Sequence, residues 1–338
     1  MEKAQFGVVG MGVMGRNLAL NIANKGFPVA VYNRTDAKTV DFIKGPAKDK
    51  LIIGTYSYEG LAEMLERPRK VILMVKAGPA VDYVIEDILP YLDEGDVLID
   101  GGNSFFEDTE HRIEELKKEG VLYIGAGISG GEEGALHGPS IMPGGERQAW
   151  ETIERILKAA AAKSQDGEPC VDYMGPGGAG HYVKMVHNGI EYAIMQLIAE
   201  VYDLLHRGLN LSAKELGDLF ADWNKGELAS YLVEITADIF KTEDPDTGKP
   251  ILDVILDEAK QKGTGKWTSQ NAFDLGAATH TINAAVASRI ISGMKELRGE
   301  ASDLIKGPDP EFKGDSQQFI HALKEALYAA VIISYAQG

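Results

Sequence analysis

In the first half of the chain, short runs rich in β-branched residues alternate with longer stretches whose apolar positions recur every three or four residues. Runs at 6–9, 29–32, 71–75, 97–100, 122–124 and 171–173 predict strands, and residues 17–25, 61–65, 109–118 and 150–162 between them predict helices. Strands separated by helices need crossover connections, so the expected sheet is parallel, doubly wound and covered on both faces. A turn-rich stretch, Met174-Gly175-Pro176-Gly177-Gly178-Ala179-Gly180, interrupts this order. Beyond it the apolar spacing is helical throughout, over 181–207, 213–220, 227–240 and onward to Tyr335. The expectation is an α/β domain over 1–178 followed by an all-α domain over 179–338, with the acidic stretch 243–248 as a solvated loop between helices.

A length of 338 residues exceeds one typical core and agrees with two domains. The 34 basic and 51 acidic residues leave a net charge of −17, which repels nucleic-acid backbones and anionic lipid surfaces; neither partner is expected. The single cysteine, Cys170, cannot form an internal disulfide, and Met1-Glu2-Lys3 opens no apolar leader; a reducing cytoplasm is expected. Apolar runs such as 71–75 fall far short of the roughly 20 residues that span a bilayer, so no transmembrane segment is expected.

Candidate chemistry begins at Gly10-Met11-Gly12-Val13-Met14-Gly15, which follows the first strand directly and opens a helix. That context suits a dinucleotide-binding turn of a Rossmann-type domain: Gly10 for the tight turn, Gly12 for backbone approach to a pyrophosphate, Gly15 for close packing of helix on strand. The plain alternative is three glycines serving a tight turn alone. Cofactor choice is usually made after the second strand, where a carboxylate would favour NAD. Asn33-Arg34-Thr35 stands there instead, and a guanidinium with a hydroxyl suits the 2′-phosphate of NADP, unless Arg34 is an ordinary surface arginine. Val75, Lys76 and Ala77, before Gly78-Pro79, can lie along the cofactor at the carboxyl edge of the sheet, although Lys76 could equally be surface lysine.

After Gly180, Lys184, His187, Asn188 and Glu191 fall within an arc of about 100° and span roughly 10 Å of helix. They form either a solvated stripe or the polar wall of a cleft between the domains, with Val183, Val186 and Ile190 as the packing face. Oxidising a secondary alcohol needs a base, and a desolvated lysine can act as one; Lys184 is the candidate base and Glu191 a candidate acid. No side chain accepts a hydride, so a nicotinamide must. Asp100-Gly101-Gly102-Asn103-Ser104 and Gly127-Ile128-Ser129-Gly130-Gly131 read either as loops whose amides face a substrate or as turns needing unusual backbone angles. Gln261-Lys262-Gly263-Thr264-Gly265-Lys266-Trp267 suits a phosphate monoester and lacks the spacing of a Walker loop.

Gly10–Gly15, Asn33-Arg34-Thr35, Gly101-Gly102-Asn103, Ser129-Gly130-Gly131, the run from Gly180 through Lys184-Met185-Val186-His187-Asn188-Gly189-Ile190-Glu191-Tyr192, and Ile255-Leu256-Asp257 leading to Lys262–Trp267 together resemble the 6-phosphogluconate dehydrogenases, over essentially the whole chain. The resemblance implies NADP as cofactor, 6-phosphogluconate as substrate, Lys184 as base and then acid, Glu191 as the group that protonates C1 of the enediol, decarboxylation without a metal, and a homodimer. It further implies that Asn103, Ser129, Gly130, Gly131, His187 and Asn188 touch the sugar acid, Asn103 lying by the cofactor as well, and that Tyr192, Lys262, Thr264 and Arg289 take the phosphate. Arg289 has little support from its own surroundings, an apolar helical pattern. The long-chain form of the family continues past Gly338, and its carboxyl-terminal part lends an arginine and a histidine to the partner subunit's site; without that part, apolar helix surface would be exposed. Two other readings stay open: a β-hydroxyacid dehydrogenase acting on a smaller acid, against which the 262–267 segment argues, and an NADP-binding fragment without catalytic competence.

Overall fold

Every residue of Phe6–Val9, Val29–Tyr32 and Val97–Asp100 is buried. Strands that are hidden on both faces need helices on both faces, the condition of a parallel sheet sandwiched between helix layers. The computed structural model, which describes residues 3–261, 263–305, 307 and 312–338, contains that sheet. Its elements run β1 (Phe6–Val9), α1 (Val13–Asn24), β2 (Val29–Tyr32), α2 (Asp36–Lys44), β3 (Ile52–Thr55), α3 (Tyr58–Met64), β4 (Lys70–Leu73), α4 (Pro79–Ile88), β5 (Val97–Asp100), α5 (Phe106–Lys118), β6 (Leu122–Ser129), α6 (Gly131–His137), β7 (Ser140–Gly145) and α7 (Arg147–Ala160).

The strand order is β3-β2-β1-β4-β5-β6-β7, parallel except for β7, which pairs antiparallel with β6. The order reverses at β1 and β4, so the loops leaving those strands flank the crevice where ligands of doubly wound sheets bind. One face is closed by Leu18, Ile22, Trp150, Ile153 and Leu157, the other by Leu61, Val81, Ile85, Ile88 and Leu116. Each such side chain contributes about 1.5–3 kcal/mol on burial.

The doubly wound sheet is as the apolar pattern predicts, but its far edge differs. Residues 171–173 form no strand: Val171 makes an isolated bridge to Ile141 and Tyr173 Oη donates to the Gly145 carbonyl at 2.7 Å, and the seventh strand is Ser140–Gly145. Pro143, Gly144 and Gly145 hide that strand from a propensity reading, and the missing Pro143 N–H is tolerated at a sheet edge. Strand β6 runs on to Ser129 because Gly125 and Gly127, which break its β-branched run, are still extended. Strand β3 is masked in sequence by Gly54, where a Cβ would press within 2.9 Å of Ile43 on α2.

The chain divides between Met185 and Val186 into two compact units, later than the predicted 178/179 and inside a helix. That helix, α8 (Ala179–Asp203), ends in a π turn at Leu204–Gly208. It is followed by α9 (Ala213–Trp223), α10 (Tyr231–Lys241), α11 (Thr264–Asp274), α12 (His280–Ser292), α13 (Lys295–Leu304) and α14 (Ser316–Gln337), the all-helical content expected. Ser212 and Glu215 form a reciprocal cap at the start of α9. Ser230 caps α10, which is why that helix begins after the predicted 227. Ile198, Leu205, Phe220, Trp223, Phe240 and Leu327 lie in the core of this unit.

Ile290, Ile291, Met294, Leu297, Ile332, Ile333 and Tyr335, on or beside α12 to α14, are exposed. Helix α14 also corrects the expectation of no span-length segment: it is long and apolar enough to cross a membrane, with mean hydropathy 1.3 over its most apolar 18 residues. Its longest apolar run, 326–333, is eight residues, and polar residues interrupt the remainder, so run length alone does not show a span. Length and composition do not by themselves place it in a bilayer, since core helices pass the same test; Leu323 and Leu327 anchor it to the helical core.

Candidate active site

Two of the three glycines after β1 are required by the backbone around them, and the third borders an open approach. Gly10 has φ +103°, and a Cβ there would meet the Met74 carbonyl at 2.5 Å; a methyl at Gly15 would overlap the Gly10 carbonyl. Around Gly12 there is open space, and no acidic residue or side-chain cap occupies the first turn of α1. An uncapped helix start beside an empty approach fits the pyrophosphate of a dinucleotide. Val13 is exposed there and Met14 partly so, whereas Met11 is buried and its N–H is held by Asn33 Oδ1 at 3.0 Å. Asn33 also donates to the Thr35 carbonyl, so it shapes the turn that presents the exposed Arg34 and Thr35.

The β4 and β5 exits touch. A Cβ at Gly101 would lie 2.5 Å from Met74 Sδ, and one at Gly102 would lie 3.3 Å from the Val75 carbonyl. Lys76 and Asn103 are exposed on these loops, while Val75 and Ala77 are partly buried. After β6, Gly130 and Gly131 have φ +135° and +61°, so the backbone itself demands glycine at both places, the plainer of the two readings; Ser129 precedes them at the end of the strand.

Helix α8 is seated on the sheet through glycines. A Cβ on Gly180 would lie 2.5 Å from the Gly144 amide nitrogen and would overlap the carbonyls of Gly125 and Met142. Gly125 and Gly127 leave room for His181 and for the stem of Lys184. Lys184 is consequently buried, the setting in which a lysine amine can exchange a proton. His181, also buried, meets Thr109 Oγ1 through Nδ1 at 2.6 Å; burial pushes its pKa below the ordinary 6.5, against an opposing pull from Asp100. The packing face of this turn is His181, Lys184 and Met185, while Val183, expected to pack, is exposed.

Farther along α8, His187 Nδ1 lies 4.0 Å from Glu191 Oε2 and 3.2 Å from Asn188 Oδ1. In this second unit Asn188 Nδ2 donates to Thr264 Oγ1 at 3.0 Å, and Gly265 packs under the Tyr192 ring. The Arg289 guanidinium stacks over that ring at 4.4 Å and donates to the Lys260 carbonyl at 3.0 Å. Asn188, Tyr192, Thr264 and Arg289 are therefore one cluster, including the arginine with least support in sequence. Lys262 lies outside the described residues.

Two family models match. One, described as the NAD binding domain of 6-phosphogluconate dehydrogenase, covers residues 5–175, and the other, described as 6-phosphogluconate dehydrogenase, C-terminal domain, covers 180–338. The chain belongs to the 6-phosphogluconate dehydrogenase family. It is 57% identical to the NADP(+)-dependent, decarboxylating 6-phosphogluconate dehydrogenase of Bacillus subtilis and 55% identical to a decarboxylating 6-phosphogluconate dehydrogenase of Escherichia coli, each over all of this chain and 72% of the relative. A solved structure of Plasmodium falciparum 6-phosphogluconate dehydrogenase, from work describing its apo form and its complexes with NADP+ and with 6-phosphogluconate, superposes with a TM-score of 0.93 at 44% identity, covering 98% of this chain and 72% of that one. The break between the matched 6-phosphogluconate dehydrogenase segments falls at residues 176–179, which lead into the glycine seat of α8. That seat was missed in sequence because its members, Gly125, Gly127, Gly144 and Gly180, are scattered over three elements.

Proposed function

We propose that this chain oxidises and decarboxylates 6-phosphogluconate with NADP, giving ribulose 5-phosphate and carbon dioxide. The observation that carries the reading is α8: Lys184 is buried against β6, and Glu191 lies two turns farther along the same helix face. The glycine turn cradles the pyrophosphate, Arg34 and Thr35 take the 2′-phosphate, and Val75, Lys76, Ala77 and Asn103 border the nicotinamide half. Bound NADP supplies the hydride acceptor.

Lys184 accepts the C3 hydroxyl proton as hydride leaves C3, and the product is a β-keto acid. The C1–C2 bond then breaks, its electrons flow toward the C3 oxygen, and Lys184 returns its proton there. Glu191 then protonates the carbon that has lost carbon dioxide while Lys184 takes back the proton of the enol oxygen, which leaves the ketone of ribulose 5-phosphate. Asn103, Ser129, Gly130, Gly131, His187 and Asn188 hold the sugar acid. Tyr192, Thr264 and Arg289, with Lys262, hold the phosphate, aided by the amino end of α11. The reading includes a homodimer in the cytoplasm; the exposed apolar residues of α12 to α14 support an association surface, and a lone cysteine suits a reducing compartment.

The test is NADP reduction by the purified chain given 6-phosphogluconate, with carbon dioxide collected from the same reaction. Equimolar reduction and release are expected; tight NADP binding without reduction would favour the incompetent-fragment reading. Cofactor choice has its own check. Arg34→Glu replaces a phosphate partner with a repelling charge and is expected to shift the NADP/NAD preference in kcat/KM by about 10–100-fold toward NAD. An unchanged ratio removes Arg34 from the cofactor site.

A further inference from the structure

One buried arginine reaches both loops that border the nicotinamide half of the proposed cofactor site. Arg112 lies on the inner face of α5 and is 5% exposed. Its Nε donates to Asp82 Oδ1 at 2.6 Å, its Nη2 to the Gly78 carbonyl at 3.3 Å, and its Nη1 faces Asp100 Oδ2 at 3.5 Å. Gly78 and Asp82 belong to the end of the β4–α4 loop and the first turn of α4. Asp100 is the last residue of β5, fully buried, and it organises the next loop: Oδ1 accepts from the Gly102 N–H at 2.9 Å, Oδ2 from Ser104 Oγ at 2.5 Å and from Tyr123 Oη at 3.3 Å. Burial holds the Tyr123 hydroxyl protonated well beyond its usual range, with Asp100 adding to the effect, so it remains a donor.

A buried ion pair is weak support for stability, because desolvation offsets most of its attraction. What this one adds is geometry. A guanidinium offers donors in a fixed plane, and here they reach past the end of the β4–β5 ladder, whose last pair is Leu73 and Asp100, to tie the Gly78 and Asp82 segment to Asp100. We propose that Arg112 is a positioning residue that locks the 75–79 and 100–104 loops into one rigid edge, fixing Asn103 and the backbone around Lys76 for hydride transfer. This rests on the reading of the chain as an NADP-linked dehydrogenase. The residue acts through Asp100 and Gly78 and touches neither ligand.

Two variants test it. Arg112→Lys keeps the charge that balances Asp100, but the three donors of an ammonium sit on one nitrogen and cannot span acceptors spaced across a guanidinium's Nε, Nη1 and Nη2. The pair Arg112→Met with Asp100→Asn removes the charge and its partner together, so no lone carboxylate is buried. In the ligand-free protein, amide hydrogen exchange at 76–78 and 101–104 is expected to quicken at least about tenfold through local opening, with strands β5 and β6 still protected. With substrate deuterated at C3, kcat is expected to fall about 10–100-fold and the isotope effect on kcat/KM to grow as hydride transfer becomes slower. A merely structural arginine would lower the melting temperature and the active fraction, leaving the isotope effect and the loop exchange pattern unmoved; that result overturns the proposal. Should the unaltered chain turn over no substrate, the dehydrogenase reading fails, and the loop exchange still decides whether Arg112 locks the two loops.

Discussion

Lys184→Met is expected to lower kcat for NADP reduction by about 10³–10⁴-fold, at the upper end for a general acid–base group because the proposed mechanism has Lys184 handle a proton in more than one step. Methionine is nearly as long as lysine and apolar, so the buried stem keeps its packing over Gly127 and the fold loses little. Lys184 stands on α8, away from the glycine turn after β1, so the NADP dissociation constant should change by less than about threefold, under 1 kcal/mol. Steady-state rates and a fluorescence titration with NADPH measure the two quantities separately. A comparable loss in both would mean that Lys184 supports the cofactor site and is not the base.

Gly180→Ala should cost the first unit about 3 kcal/mol or more, because the added methyl meets backbone on three sides and backbone cannot rotate away as a side chain can. For a unit of this size that corresponds to a fall of roughly 6–12 °C in melting temperature. Activity should fall further than stability explains, since relief of the overlap lifts the first turn of α8 from β6 and carries Lys184 with it. Differential scanning calorimetry with rates measured well below the transition separates the two effects. A variant that melts and works like the parent would show that α8 is not seated through this contact.

How much of this was legible depends on whether the deciding contacts are local. Strands β1, β2 and β5 announce themselves because both of their faces are apolar, and the polar face of α8 follows from helical spacing alone. Strand β7 is held by pairing with β6 despite Pro143 and two glycines, a tertiary effect that no propensity contains. Arg289 gains its meaning only from Tyr192, almost a hundred positions away in sequence. Arg112 did leave a trace: with Thr109, Ile113 and Leu116 it completes an i, i+3, i+4, i+7 stripe, and a charge in an apolar stripe signals a buried partner. The partner itself, Asp100, could be named only once β5 and α5 were side by side.

Helix α8 crosses the boundary between the two compact units without a break, so Lys184 counts with one and Glu191 with the other. The helical rise sets their spacing at about 10 Å, and the backbone hydrogen bonds that set it are indifferent to side-chain identity. The helix therefore works as a ruler between the two proposed proton-handling groups. Substitutions between them leave the ruler intact, but one inserted or deleted residue would turn Glu191 by about 100° away from Lys184. Among changes to this segment, variation in length is the kind the chemistry cannot absorb.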